Sequence, residues 1–266
     1  MFGDFHLHSN HSDGRLDPIA LIDIVADAGV HIAALTDHDT TAGHAAAAQR
    51  SRERGLHFIP GIEMTTFGCS RVIHVLGLNV DGSLPQLNAA NATARDVWDA
   101  NQRRWVDALS HEGVNVSFER DFADHPVRLP VLIERLCRRD VDGGDPLTVY
   151  ARFRAFFSAL PGEAYARLPA PSEAAAIIRA AGGIAFLAHP EPLRESGVLT
   201  ELLDALDGLE ALYMPYTDAQ RERLRVLAAR HGKLYSCGTD YHGYFTGAYR
   251  RPTIVAPPAL LDRLGL

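Results

Sequence analysis

Met1-Phe2-Gly3-Asp4-Phe5-His6-Leu7-His8 opens the chain, and its alternation sets how the rest is read. Residues two apart on a strand share a face, so His6 and His8 point one way while Phe5 and Leu7 point the other. Two imidazoles placed in this way can chelate one metal ion. Working outward, an apolar run that ends in nitrogen and oxygen ligands recurs along the chain. His31 to Leu35 leads into Thr36-Asp37-His38-Asp39, His57 to Ile62 into Glu63, Gly183 to Leu187 into Ala188-His189-Pro190, and Leu234 to Cys237 into Gly238-Thr239-Asp240-Tyr241-His242. Asp13 follows the first pair, and His74 sits within the run Arg71 to Leu78. These six histidines, two aspartates and one glutamate exceed the roughly four ligands that one zinc takes, which implies a multinuclear site. No thiolate accompanies them, a donor set suited to zinc, manganese or iron in an open, catalytic geometry. Asp240 and His242 flank Tyr241 and either share one ion or, across a turn, serve neighbouring ions. Isolated histidines such as His57, His111 and His231 read as ordinary solvated or hydrogen-bonded side chains.

The ligand-bearing runs, together with Leu209 to Tyr213, predict seven strands. Helical patterns fall between several of them: Pro18 to Ala28 with Asp17 as N-cap, Gly43 to Arg54, Ser172 to Ala181 with the signature Pro171-Ser172-Glu173, and Asp218 to His231. Alternation of this kind predicts an α/β fold with parallel strands and crossover helices. A barrel fits better than an open sheet, because ligands from many strand ends must converge on one point. From about Thr93 to Ala170 the pattern breaks. Helix-like segments lie near Arg95 to Glu112, Leu129 to Arg139 and Pro146 to Leu160, with no ligand cluster among them. The expected division is a discontinuous barrel domain, residues 1–92 and 170–266, carrying a small helical insertion at 93–169.

The chain of 266 residues, 47% hydrophobic and 22% charged, has the composition of a globular protein. It contains no apolar stretch near the roughly 20 residues that span a bilayer, and no basic segment leads an apolar one at the N-terminus, so the expected location is cytoplasmic. Cys69, Cys137 and Cys237 are far apart, lack CxxC spacing and read as free thiols. A net charge of -7 argues against stable binding to a nucleic-acid duplex, which requires cations that displace counterions.

Taken as an ordered set, His6-Leu7-His8-Ser9 with Ser12-Asp13-Gly14, Leu35-Thr36-Asp37-His38-Asp39, Gly61-Ile62-Glu63, His74, Ala188-His189-Pro190 and Thr239-Asp240-Tyr241-His242-Gly243 resemble the motifs of the polymerase and histidinol phosphatase (PHP) family of metal-dependent phosphoesterases. The resemblance implies a distorted (β/α)7 barrel that binds three divalent ions, manganese, zinc or iron. It implies one ion on His6, His8, Glu63 and Asp240, a second sharing Glu63 with His74 and His189, and a third on Asp13, His38 and His242. Hydrolysis of a phosphate ester by metal-activated water would follow, with His38, Asp13, Glu63 and Asp39 as the catalytic set. For Asp39, orienting a ligand, protonating the leaving group and capping the following turn all stand open.

The helical insertion between His74 and His189 resembles that of the branch acting on nucleoside 3',5'-bisphosphates and short oligonucleotides. It implies a nucleotide or a short single-stranded oligonucleotide as the partner and Arg128 as a phosphate contact; Arg194, just behind the His189-Pro190 turn, Arg15 and Tyr216 are further candidate substrate contacts, and the lack of a long apolar stretch predicts no membrane partner. Two positions depart from that branch. Pro161-Gly162-Glu163 carries a carboxylate where a lysine is typical, and Tyr216 stands where a histidine is common. Both departures favour a substrate with a single phosphate, and a phosphatase of the histidinol phosphate kind is the alternative enzyme. A non-enzymatic metal-binding module is the alternative outside enzymes. Amidohydrolases with His-x-His openings commonly bridge their metals with a carboxylated lysine, whereas here Glu63 fills that place and Lys233 is the only lysine.

Overall fold

The computed structural model describes residues 1–121, 129–138, 141–146, 148–151, 162–196, 198–244, 248–250 and 255–266. Seven strands form one sheet in sequence order: β1 (Gly3–Asp4), β2 (Ile32–Leu35), β3 (His57–Gly68), β4 (Arg71–Leu78), β5 (Ile184–Leu187), β6 (Gly208–Tyr213) and β7 (Leu234–Gly238). Phe5 donates its N–H to the Cys237 carbonyl at 3.0 Å, and Leu7 bridges Tyr241 in parallel, so β7 returns to the N-terminal strand and the sheet curls into a nearly closed barrel.

Each predicted strand is present, but their directions need one correction. Parallel pairing holds for β1–β2–β3 and β5–β6–β7, whereas β4 runs antiparallel to both β3 and β5. The cause is local. Strand β3 continues past Glu63 to Gly68, and Cys69 and Ser70, with φ of 52° and 59°, turn it straight back into β4. Two successive left-handed residues match the twist of a tight hairpin, so no crossover helix is needed. Reversal also carries His74, near the start of β4, to the end of the barrel where the parallel strands finish.

One face of the strands fills the barrel, with Phe5, Ile32, Ala34, Ile59, Leu76, Ile184, Phe186 and Cys237 packed together and Leu260 of the helix Pro258–Leu264 beside them. The other face packs against helices. Pro18–Asp27 and His44–Arg54 cover β2 and Leu7, just past β1, through Leu21, Ile22, Val25 and Ala47, while Pro171–Ala180, Val198–Ala205 and Asp218–Arg230 cover β3 to β6. Asp17 caps the first helix by accepting from the N–H groups of Ile19 and Ala20 at 2.9 and 3.0 Å. Glu173 reaches back to the Ala170 N–H at 2.8 Å, as the capping signature predicts.

The long helix Pro85–His111 starts at Pro85 rather than near Arg95, its first turns carrying the polar Asn88-Ala89-Ala90-Asn91 that gives little apolar period. It lies along β3, where the Trp98 indole donates to Thr65 Oγ1 at 3.1 Å and Arg95 donates to the Asp39 carbonyl at 2.6 Å. Leu129–Cys137 follows it, packing Leu132, Ile133 and Leu136 against Val106 and Leu109 of the long helix. Much of the expected helix Pro146 to Leu160 falls outside the described residues. No helix among the described residues is long and apolar enough to cross a membrane.

Candidate metal centre

All nine predicted ligands converge at one mouth of the barrel. His6 and His8 extend β1, His38 follows β2, Glu63 lies within β3, His74 within β4, His189 follows β5, and Asp240 and His242 follow β7. Asp13 returns to His8 because the loop after Ser9 folds tightly, Gly14 donating to the Ser9 carbonyl at 2.9 Å. A Cβ at Gly14 would lie 2.1 Å from the His8 carbonyl oxygen, so only glycine fits this return. The backbone is strained at two of the predicted ligands, His189 with φ of 29° and Asp240 with φ of 53°, and also at Asp39 with φ of 52°.

Glu63 is the hub. Its Oε2 stands 3.1 Å from His6 Nε2, 3.2 Å from His8 Nε2 and 3.2 Å from His38 Nδ1. Its Oε1 stands 3.2 Å from His74 Nδ1 and 3.1 Å from His189 Nε2. Asp240 Oδ1 lies 3.3 Å from His6 Nε2 and 3.1 Å from His8 Nε2, and Asp13 Oδ1 lies 3.2 Å from His242 Nε2. Among the described residues, three groups have ligand atoms close enough to hold an ion: His6, His8, Glu63 and Asp240; His8, Asp13, His38 and His242; and His38, Glu63 and His74. His8 and His38 each stand in two groups, although a neutral imidazole has one lone pair to give.

A divalent ion fits this donor set. His6 Nε2, His8 Nε2, His38 Nδ1, His74 Nε2, Glu63 Oε2 and Asp240 Oδ1 are buried with no hydrogen-bond partner. So many buried polar atoms left unpaired would cost several kcal/mol in total, and cations placed among them relieve that cost. Burial alone would neutralise these groups, and their mutual charge overrides it. Desolvation pulls His6 down, but Glu210, Asp240 and Glu63 outweigh it and hold the imidazole well above its ordinary range. His242, beside Asp13 and Asp240, is pushed up to about 10 against the same desolvation. Desolvation raises Glu63 and Asp240, yet the surrounding imidazoles hold both well below the usual carboxylate range. His38 goes the other way, kept well below by burial.

Around the nine stands a second set of buried carboxylates, of which sequence reasoning had singled out only Asp39. Asp37 accepts from the Ser9 N–H and hydroxyl at 2.7 and 2.6 Å and from the Ser12 hydroxyl at 2.6 Å. Asp4 accepts from the Thr239 N–H and hydroxyl at 3.0 and 2.7 Å and from the Tyr249 hydroxyl at 2.8 Å. Desolvation still raises Asp4 to about 6. Asp39 accepts from the Thr65 N–H and hydroxyl, both at 2.7 Å, bonds that tie it to β3 and not to the turn that follows it. Glu210, in β6, accepts from His6 Nδ1 at 3.0 Å and from the His189 N–H at 2.9 Å. The available signal for Glu210 was a lone charge inside the apolar run Leu209 to Tyr213.

Substrate candidates are less well assembled. Arg15 is exposed, its backbone N–H held by the His242 carbonyl at 2.7 Å, which puts it at the edge of the centre. Tyr216 is half-buried, its hydroxyl accepting the Glu191 N–H at 2.9 Å beside the His189 turn. Tyr213, which sequence reasoning missed, packs its ring on Tyr216 and donates its hydroxyl to Asp240 Oδ2 at 2.8 Å. Glu163 is exposed in the short 3-10 turn Gly162–Tyr165. Arg128 and the side chain of Arg194 lie outside the described residues.

No family model matches the chain. Among individual proteins, it is 31% identical over 249 residues to a 3',5'-nucleoside bisphosphate phosphatase of Chromobacterium violaceum, covering 90% of this chain and 86% of that protein. It is 30% identical over 251 residues to a phosphoribosyl 1,2-cyclic phosphate 1,2-diphosphodiesterase of Eggerthella lenta, covering 92% and 95%. A 5'-3' exoribonuclease of Haemophilus influenzae is 30% identical over 247 residues, covering 90% and 89%. In three dimensions the chain matches a crystal structure assigned as a metal-dependent phosphoesterase of Bifidobacterium adolescentis. The TM-score is 0.83 at 26% identity, over 98% of this chain and 94% of the other.

Proposed function

Because the chain belongs to the PHP family of metal-dependent phosphoesterases, we propose that this hydrolase acts on a nucleoside 3',5'-bisphosphate or on the 5' end of a short oligonucleotide. We assign three ions: one to His6, His8, Glu63 and Asp240, one to Glu63, His74 and His189, and one to Asp13, His38 and His242. The observation that carries this reading is Glu63, wholly buried, with its two oxygens turned toward different sets of imidazoles. A carboxylate has two oxygens to share between ions and an imidazole has one free nitrogen, so Glu63 suits the bridging place.

Divalent ions at such a site acidify a water and neutralise the non-bridging oxygens of a phosphate, so no nucleophilic side chain is required. The chain's own groups hold the arrangement. Tyr213 occupies Asp240 Oδ2 and leaves Oδ1 facing His6 and His8. His242 directs Nδ1 to the Asp240 carbonyl at 2.9 Å and presents Nε2 beside Asp13. We assign Arg15, whose backbone lies at the edge of the mouth, to a phosphate that the ions would not hold, through the paired hydrogen bonds a guanidinium offers.

The relative named for a cyclic phosphate, matched over 95% of its own length, supports a second reading, a cyclic phosphodiester as substrate. One panel separates the readings. The protein is loaded with manganese, zinc or iron and given adenosine 3',5'-bisphosphate, a ribosyl cyclic phosphate, histidinol phosphate and short 5'-phosphorylated oligonucleotides. Inorganic phosphate and mononucleotides are scored separately. Phosphate from the bisphosphate, or mononucleotides from the oligonucleotide, is expected. Turnover of histidinol phosphate alone, or of the cyclic phosphate alone, overturns the nucleotide assignment.

A further inference from the structure

We infer that Glu210 is a positioning residue of the metal centre, fixing which nitrogen His6 offers and where the His189 turn stands. The inference rests on the ligand assignment proposed above. Glu210 is wholly buried in β6, and among the described residues its ion-pair partner is His6, with no guanidinium or ammonium in reach. A buried carboxylate without a cation is costly, and each of its oxygens has an N–H to accept from. Oε1 meets His6 Nδ1 at 3.0 Å and Oε2 meets the His189 N–H at 2.9 Å.

Two features of the fold bring it there. The register between β6 and β7 shifts between Glu210 and Leu212, and such a bulge re-aims side chains at a barrel rim. Its neighbours Leu209 and Ala211 pack into the outer core, leaving Glu210 on the inner face. Across from it, β7 carries Gly238, where a Cβ would come 2.7 Å from Glu210 Oε1 and 2.3 Å from the His6 Cβ. The absent side chain is the space through which Glu210 reaches His6.

The consequence is chemical. With its Nδ1 proton given to Glu210, His6 keeps the Nε2 lone pair that faces Glu63 and Asp240. The other tautomer would set two acceptors against each other. At His189 the same carboxylate holds a backbone whose φ of 29° few L-residues adopt. One side chain thus ties ligands on two strands, assigned to two ions, while the ion on Asp13, His38 and His242 is not bound to it.

Glu210→Gln keeps the shape, but an amide has one acceptor oxygen and can serve His6 or the His189 N–H, not both. The test titrates the metal-free protein with zinc alone against a chromophoric chelator, counts bound ions, and melts the metal-free parent and variant. Expected is a weakening of two ions by about 10–100-fold, the third ion retained, and an unchanged melting temperature without metal. Zinc affinity within about twofold of the parent overturns the inference, as does a loss matched by a lower melting temperature in the metal-free state. A parent that takes up no zinc overturns the ligand assignment itself and the inference with it. Independently of any variant, long-range proton–nitrogen spectra of the zinc-loaded parent should show His6 protonated on Nδ1, and protonation on Nε2 overturns the inference.

Discussion

The floor and the rim of the metal centre are built from the same residue types and differ in their access to water. His6, His8 and Glu63 have wholly buried side chains, whereas His74 and His189 are 21% and 30% exposed. Floor residues are tied by charged or hydroxyl groups from the strands beneath, Glu210 on His6 and Asp37 on the Ser9 loop. At the rim most ties come from neutral groups, a tyrosine hydroxyl on Asp240 and a backbone carbonyl on His242, on strained turns, with Glu210 reaching the His189 N–H as well. The contrast separates two tasks, since charge is concentrated where water is excluded and strengthens every electrostatic contact there, while the phosphate must approach from the rim.

The largest expected effect tests the floor. Glu63→Ala should cost a thousandfold or more in kcat/KM, roughly the several kcal/mol of charge stabilisation that ion binding supplies. Phosphate release within tenfold of the parent would break the distinction. Removal of the ions with a chelator should abolish turnover, and adding back manganese should restore it. The loaded protein should also melt higher, since an ion a thousandfold above its Kd adds about 4 kcal/mol; equal melting temperatures would mean the floor is stable without its cations. At the rim, Tyr213→Phe removes one hydrogen bond to a charged oxygen, a loss of about 1.5–3 kcal/mol and so roughly 10- to 150-fold in kcat/KM. A loss as deep as that of Glu63→Ala would place Asp240 with the floor. The smallest effect is expected from Trp98→Phe, which deletes the indole N–H on Thr65 and costs about 1 kcal/mol of stability, read as a lower melting temperature, with turnover reduced a few-fold at most.

Much of the floor was legible because its ligands sit where apolar runs end, and an apolar run followed by a histidine marks a strand and its mouth together. The direction of β4 was not legible. Its apolar period is the same whichever way it runs, and the reversal depends on two left-handed residues, Cys69 and Ser70, of types that do not announce such a turn. Glu210 was hidden for a related reason, since its strand bulges just beyond it and the alternation of Leu209, Glu210 and Ala211 is not sustained. Asp4, Asp37 and Asp39 could be seen as acidic, but whether an aspartate faces an ion or a threonine hydroxyl depends on packing between strands distant in sequence. Where the helical segment meets the centre, through Arg95 and Trp98, no periodic signal marked the contact.

Closure of the barrel has a consequence for biosynthesis. Asp4 is held by Thr239 and Tyr249, 235 and 245 positions away, and the group of His6, His8, Glu63 and Asp240 joins the first strand to the segment after the seventh. Contacts of such sequence separation form late. On a ribosome the first two histidines emerge long before their aspartate, so a nascent chain holds an incomplete chelate, and tight metal capture becomes a marker that the last strand has docked.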